Sequence, residues 1–526
     1  MIRIAETKYG KVEGLPAADP RVTAFKGIPF AAPPVGENRW RPPQPLAPWE
    51  GVYKAYQFGP ISFQDTPGLG TDIYCREWHV DPEIPVSEDS LYLNIWTNAK
   101  STQEKLPVLV WIYGGAFQWG YTAEMEFDGE RIARRGVVVV TIAYRLGAFG
   151  FLTHPELTET QPEAPGNFGL LDQQAGLRWV KENIAAFGGD PENITLAGQS
   201  AGGASVLTQI TSDTNRGYID KAIILSGMFR SPYHEDPFIT PKNVEEAQQN
   251  GADFFEYLGV KTLDEARKLD AATIRDKYAK FRETHPMFAA VVDHTMVVGN
   301  PLQRFANGEG LPIPVMAGHT MDEFKDYLCF EERQEKEVDA GSLKDLTDAA
   351  FKAAEGNVEK EAKVLLGDDA EKFLTFEEAA SSDGTGYGGV NVIELGVKSA
   401  FMAKQKKTAE PCYFYQFDVD IPGEDNPGSF HSVDLWFFFE TLAKCSRPYV
   451  GRHYDIARQM CNYWCNFIKT GDPNGNDIDG SPMERWEPYT EAGRAGVRFT
   501  GHGVEKLDRE TPFKSFLEEY IIRTKF

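Results

Sequence analysis

Residues 194–211 read ITLAGQSAGGASVLTQIT. The first five form a short apolar run suited to a strand, and AGGASVLTQIT can open a helix directly after it. Between them stands Ser200, enclosed by Gly198, Ala201, Gly202 and Gly203. Small residues at such a junction permit a sharp turn and the close approach of neighbouring elements. A strand that turns into a helix through G-x-S-x-G holds its serine on a strained bend, with the hydroxyl exposed and the next N–H aimed inward. The pattern alone is weak, because 49 glycines in 526 residues make chance matches common. Its place between strand and helix gives it weight.

Outward from this junction, continuous apolar runs recur at 107–115 (PVLVWIYGG), 137–144 (VVVVTIAY), 221–227 (KAIILSG), 313–318 (IPVMAG) and 412–419 (CYFYQFDV). They lack the alternation of a half-exposed sheet, so both faces are expected to be covered. LLDQQAGLRWVKENIAAFG, residues 170–188, is helical in period and stops at Gly188. Strand, helix and strand in succession argue for an α/β fold around a largely parallel sheet. Whether 107–115 and 136–140 begin as antiparallel neighbours stays open at this level. A charge-dense, alanine-rich stretch, SLKDLTDAAFKAAEGNVEKEAKVLLGDD (342–369), predicts surface helices inserted over about 331–390. SSDGTGYGGVN (381–391) predicts a loop. With neither repeats nor a clear linker, residues 1–526 are expected to form a single domain carrying that insertion.

The composition, 42% hydrophobic and 25% charged, is that of a globular chain able to bury a large core without metals or disulfides. A net charge of −24 and a pI near 4.9 argue against nucleic acid as a partner, since phosphate binding needs clustered Lys and Arg. The acidic balance reads as a solvated surface. MIRIAETKYGKVEG at the N-terminus has no apolar core of a signal peptide, and no run is long enough to span a bilayer. Six scattered cysteines form no disulfide framework. A cytoplasmic location is therefore expected, as a monomer or small homo-oligomer.

A nucleophilic serine needs donors for the charge that develops on its target. Tyr113-Gly114-Gly115-Ala116 follows a strand and can turn consecutive N–H groups into a cavity, with Ala201 adding another. It also needs a base and an acid, in the chain order serine, acid, histidine for this architecture. His431, in the loop NPGSFHSVDLW, is favoured by position over His453 in a helix and His502 in a near-terminal turn. Asp322 and Glu323 follow the 313–318 strand, and the residues alone do not choose between them.

Several longer segments carry a resemblance. FKGIPFAAPPVGENRWRPPQP, SEDSLYLNIW, YRLGAFGFL, GNFGLLDQQAGLRWVKENIAAFGGDPENITLAGQSAGG and NFIKTGDPNG occur in this order. Together they resemble the type B carboxylesterases, a family that includes the cholinesterases and bacterial para-nitrobenzyl-esterase-like enzymes, over nearly the whole chain. The resemblance implies an α/β-hydrolase fold, a mostly parallel central sheet with helices on both faces and helical insertions around an active-site gorge. It implies Ser200 as nucleophile, Glu323 as acid and His431 as base, with Gly115, Ala116 and Ala201 as oxyanion-hole donors. Gly114, Phe117, Gln199, Trp78 and Phe288 are the expected substrate contacts. No cofactor is required. The implied reaction is hydrolysis of small to medium, fairly apolar carboxylic esters. The alternatives are deacylation of hydroxycinnamoyl or acetyl sugar esters, and a non-catalytic adhesion protein.

Three departures stand out. Ser90 occupies the place of the cysteine that would pair near Cys75. Gln199 replaces the glutamate that cholinesterases carry beside the nucleophile, which weakens attraction of cationic substrates. His294 stands where relatives commonly have glycine and is read as a spectator. Trp78 lies near the position of the tryptophan that faces choline, with a longer spacing to SEDS. DLWFFFETL (434–442) is expected to pack in the core, with one aromatic reaching the cleft.

Overall fold

A computed structural model describes residues 1–230, 240–323 and 391–507, with positions 518, 521–523, 525 and 526 near the C-terminus. Its strands in the main sheet are β1 (Leu15–Pro16), β2 (Thr23–Pro29), β3 (Tyr92–Thr97), β4 (Leu106–Ile112), β5 (Val138–Ile142), β6 (Gly189–Gln199), β7 (Lys221–Leu225), β8 (Val315–Thr320), β9 (Cys412–Asp418), β10 (Val497–Thr500) and β11 (Gly503–Lys506). Among the described residues they join in the order β11-β10-β9-β8-β7-β6-β4-β5-β3-β2-β1.

From β10 through β5 every neighbouring pair is parallel; β3, β2, β1 and β11 add antiparallel edges. The open question about 107–115 and 136–140 is thereby answered: β4 and β5 are parallel, with Val108 opposite Val138. Every residue of β5, β7 and β8 is buried, as the unbroken apolar runs require of strands covered on both faces.

The helices used below are α1 (Ile73–Glu77), α2 (Phe168–Asn183), α3 (Ala201–Thr211), α4 (Val392–Gln405), α5 (Leu435–Phe438) and α6 (Gly451–Thr470). The α2 segment extends through a 3-10 turn at Ile184–Phe187 and stops at Gly188, whose φ of +81° ends the helix as its glycine predicted. Arg145, just beyond β5, is locked to Asp172 of α2. Its Nε lies 2.7 Å from Asp172 Oδ2, and its NH2 2.7 Å from Oδ1. This buried fork ties the helix layer to the sheet. The expected insertion over 331–390 and nearly all of the 381–391 loop lie outside the described residues; Asn391 caps α4. No described helix is long and apolar enough to cross a membrane.

Candidate active site

β6 runs directly into α3, and the one residue between them is Ser200, at φ 56° and ψ −125°. Such values are costly for any residue with a Cβ, on the order of 1–3 kcal/mol. The strain is held by packing and hydrogen bonds on both sides. Ser200 N donates to Leu225 O of β7 at 2.9 Å, and Ser200 O accepts from Ala204 N at 2.8 Å. A Cβ on Gly198 would strike Gly202 O, and one on Gly202 would strike Ile112 O, so only glycine lets the bend close on itself.

β4 ends at Ile112, and the chain then turns through Gly115, Ala116 and Phe117 with φ of 102°, 56° and 60°. Gln118 N and Trp119 N donate to Gly115 O at 2.8 and 2.9 Å, which fixes the loop and turns its earlier amides the other way. Among the described residues no acceptor takes the N–H of Gly115, Ala116 or Ala201. The first amides of a helix are unpaired for lack of a preceding turn, which is why the Ala201 N–H has no intrahelical acceptor.

His431 comes from the loop after β9, Glu323 from the turn after β8. His431 Nδ1 pairs with Glu323 Oε2 in a short hydrogen bond. The other glutamate oxygen accepts from Ser226 Oγ at 2.7 Å and from Thr320 N at 2.8 Å. With Nδ1 donating to Glu323, Nε2 is the basic nitrogen, and the Gln199 amide lies 3.2 Å from it. Burial works against a charged Glu323, but the attraction and hydrogen bond of His431, with that of Ser226, hold its carboxyl below the ordinary glutamate range. Asp322, the acid the residues alone left level with Glu323, faces elsewhere and accepts from Ser429 N at 2.8 Å. His453 is spent on Val450 N and Asp420 O.

Two residues that sequence reasoning passed over belong to this network. Ser226 ends the β7 segment, and its position beside the strand end was the available signal. Asp434, fully buried, accepts from Tyr415 OH at 3.0 Å and is pushed up to about 7 by burial and by the charge of Glu323.

Ser200, His431, Gln199, Gly114, Gly115 and Ala116 line one cavity of about 710 Å³. Its far wall includes Tyr74, Trp78, Phe127 and Leu435. Trp78 is 3% exposed and stacks on Tyr74 and Trp436, which draws its ring into the wall. Phe117 and Phe288 are not among the lining residues, contrary to expectation. Phe117 packs on Phe151, because successive left-handed residues reverse its direction, and Phe288 stacks on Tyr278. From DLWFFFETL the residue at the cavity is Leu435; its aromatics are buried in the core. His294 is exposed.

Comparison with known proteins places the chain. The profile of the carboxylesterase family matches residues 2–511. The chain belongs to the carboxylesterase family. It is 32% identical to the para-nitrobenzyl esterase of Bacillus subtilis strain 168 over 507 residues, covering 94% of each chain. It is 30% identical to bovine carboxylesterase 4A over 514 residues, covering 90% of this chain and 88% of that one. Among solved structures, a para-nitrobenzyl esterase superposes with a TM-score of 0.77 at 28% identity, covering 98% of this chain and 99% of its own. The Geobacillus stearothermophilus carboxylesterase gives a TM-score of 0.77 at 30% identity, covering 98% and 100%. Like them, this carboxylesterase has the α/β-hydrolase fold, and it is a carboxylic ester hydrolase.

Proposed function

We propose that Ser200 is the nucleophile, His431 the base and Glu323 the acid of this carboxylesterase, acting through an acyl-enzyme. The observation that carries the reading is the strained Ser200 at the β6–α3 junction, sharing one cavity with Gly115 and Ala116, whose amides, like that of Ala201, have no acceptor among the described residues. His431 Nε2 takes the hydroxyl proton as Ser200 attacks the ester carbonyl, and Glu323 stabilises the imidazolium. The N–H groups of Gly115, Ala116 and Ala201 hold the oxyanion. His431 then protonates the leaving alcohol, and water releases the acyl group by the reverse sequence.

The mixed wall of Tyr74, Trp78, Phe127 and Leu435 and the cavity volume suit small to medium, fairly apolar esters. Free thiols at Cys75, Cys412, Cys445, Cys461 and Cys465 support a reducing compartment, the cytoplasm. Ser200→Ala should lower hydrolysis of p-nitrophenyl acetate by about four to six orders of magnitude. Retention of more than about a tenth of the rate would remove Ser200 from the mechanism. A panel of apolar, hydroxycinnamoyl and acetyl-sugar esters separates the substrate readings.

A further inference from the structure

A second constellation of reactive side chains shares the Ser200 cavity and has no part in ester hydrolysis. α1 sets Cys75 on the cavity wall, and His79 follows one turn later, its N–H bonded to Tyr74 O at 3.0 Å. Both are partly open: Cys75 is a half-buried free thiol, and the His79 side chain is 18% exposed. Behind His79 lies Glu124, with Oε1 3.5 Å from His79 Nε2 and 2.7 Å from Tyr121 N. Behind Glu124 lies Glu126, fully buried; burial and the charge of Glu124 push its carboxyl well above the glutamate range. Glu124 is the member of the pair that faces His79.

Burial disfavours a charged imidazole, but Glu124 and the contact with Cys75 push His79 up to about 10. Cys75 and His79 line the same cavity wall, and the Glu124 carboxylate backs the imidazole. Sulfur, imidazole and carboxylate in that order form the arrangement that activates thiols. The other described cysteines have no such setting. Cys412, Cys461 and Cys465 are buried, and Cys445 is pushed up to about 12 by burial and by Glu77. Nor has Cys75 a cysteine to pair with at position 90, where Ser90 Oγ lies 3.0 Å from Ser62 Oγ.

We propose that Cys75 is a covalent modification site for small disulfides that enter the cavity, and that its adduct closes access to Ser200. Cys75 Sγ attacks one sulfur of R–S–S–R. The S–S bond breaks as Cys75–S–S–R forms, and the other half departs as a thiolate that takes up the proton Cys75 gave away. The disulfide is the only oxidant consumed. His79 is the imidazole beside the attacking sulfur on the cavity wall, and Glu124 Oε1, 3.5 Å from its Nε2, orients the ring.

The thiol chemistry stands apart from the esterase reading, whereas the loss of activity rests on it. With dipyridyl disulfide, the native protein should release pyridinethione in one fast phase, and peptide mapping should find the adduct on Cys75. Cys75→Ser should abolish that phase, and His79→Gln should slow it by about tenfold. Hydrolysis of naphthyl acetate should fall in step with the fast phase by at least about tenfold and return with dithiothreitol. Hydrolysis by Cys75→Ser, whatever its starting rate, should be indifferent to the reagent. An adduct on another cysteine, a fast phase unchanged in His79→Gln, or a Cys75 adduct that leaves hydrolysis intact would overturn the proposal. Mapping needs no variant, so a misfolded substitution cannot hide the answer. A protein that never hydrolyses naphthyl acetate yet maps its adduct to Cys75 would sink the esterase reading and uphold the modification site.

Discussion

Asp434 sits three residues beyond His431, fully buried, and holds its proton to about 7 against an ordinary value of 3.8. The folded state therefore binds more protons here than the unfolded state between those two values. Stability at this site is greatest below pH 3.8, falls as pH rises through 7, and is then level. Asp434→Asn keeps the acceptor for Tyr415 OH and abolishes the ionisation. Its thermal stability should exceed that of the native protein by about 2 kcal/mol at pH 8 and match it near pH 4. Equal gains at both values would show that the carboxyl is not the cause. Nothing in the sequence announced Asp434, since its state depends on Glu323, more than a hundred positions away. The pairing of Glu323 with His431 was equally hidden from the residues alone: Asp322 and Glu323 are adjacent carboxylates, and only the path of the turn after β8 decides which one faces the imidazole.

At the scale of elements, burial is what made the fold legible. Strands covered on both faces read as unbroken apolar runs, so 137–144 and 221–227 located β5 and β7 to within a few residues. Direction was not legible, because an apolar run carries no mark of the neighbour it will join; β4 and β5 are parallel only because of where the chain travels between them. Phe117, a substrate contact implied by the family resemblance, stands in a run of two left-handed residues and packs on Phe151. The joint between sheet and helix layer is the Arg145–Asp172 fork, with side chains 4% and 0% exposed. Asp172→Ala leaves the guanidinium buried without its partner. It should cost about 3–5 kcal/mol in urea unfolding. A loss below about 1 kcal/mol would mean that water reaches Arg145 once the carboxylate is gone.

Over the whole molecule, the charge of −24 sets a field that every substrate crosses before it meets the cavity. Asp65, Asp72 and Asp276 line the same cavity, Asp65 paired with Arg282 and Asp276 with Arg275, so the long-range field comes from the net charge of the surface. Raising the ionic strength should lower kcat/KM for a cationic ester several-fold and raise it for an anionic one, while a neutral ester of the same size changes little. Stopped-flow measurement of all three at two salt concentrations checks the sign. If the three respond alike, salt acts on the chemistry and not on the approach.

The parallel sheet also governs when the protein becomes competent during folding. Gln199 and His431 meet across 232 positions of sequence, and His431 and Glu323 across 108. Each stands at the end of a different strand, and no local segment brings any two together. Closing such long chain loops is slow, and it is rewarded only when the intervening strands are already in register. In a refolding experiment, recovery of catalysis is therefore a clock for the last long-range pairing, and it lags behind the burial of tryptophan that marks the collapse.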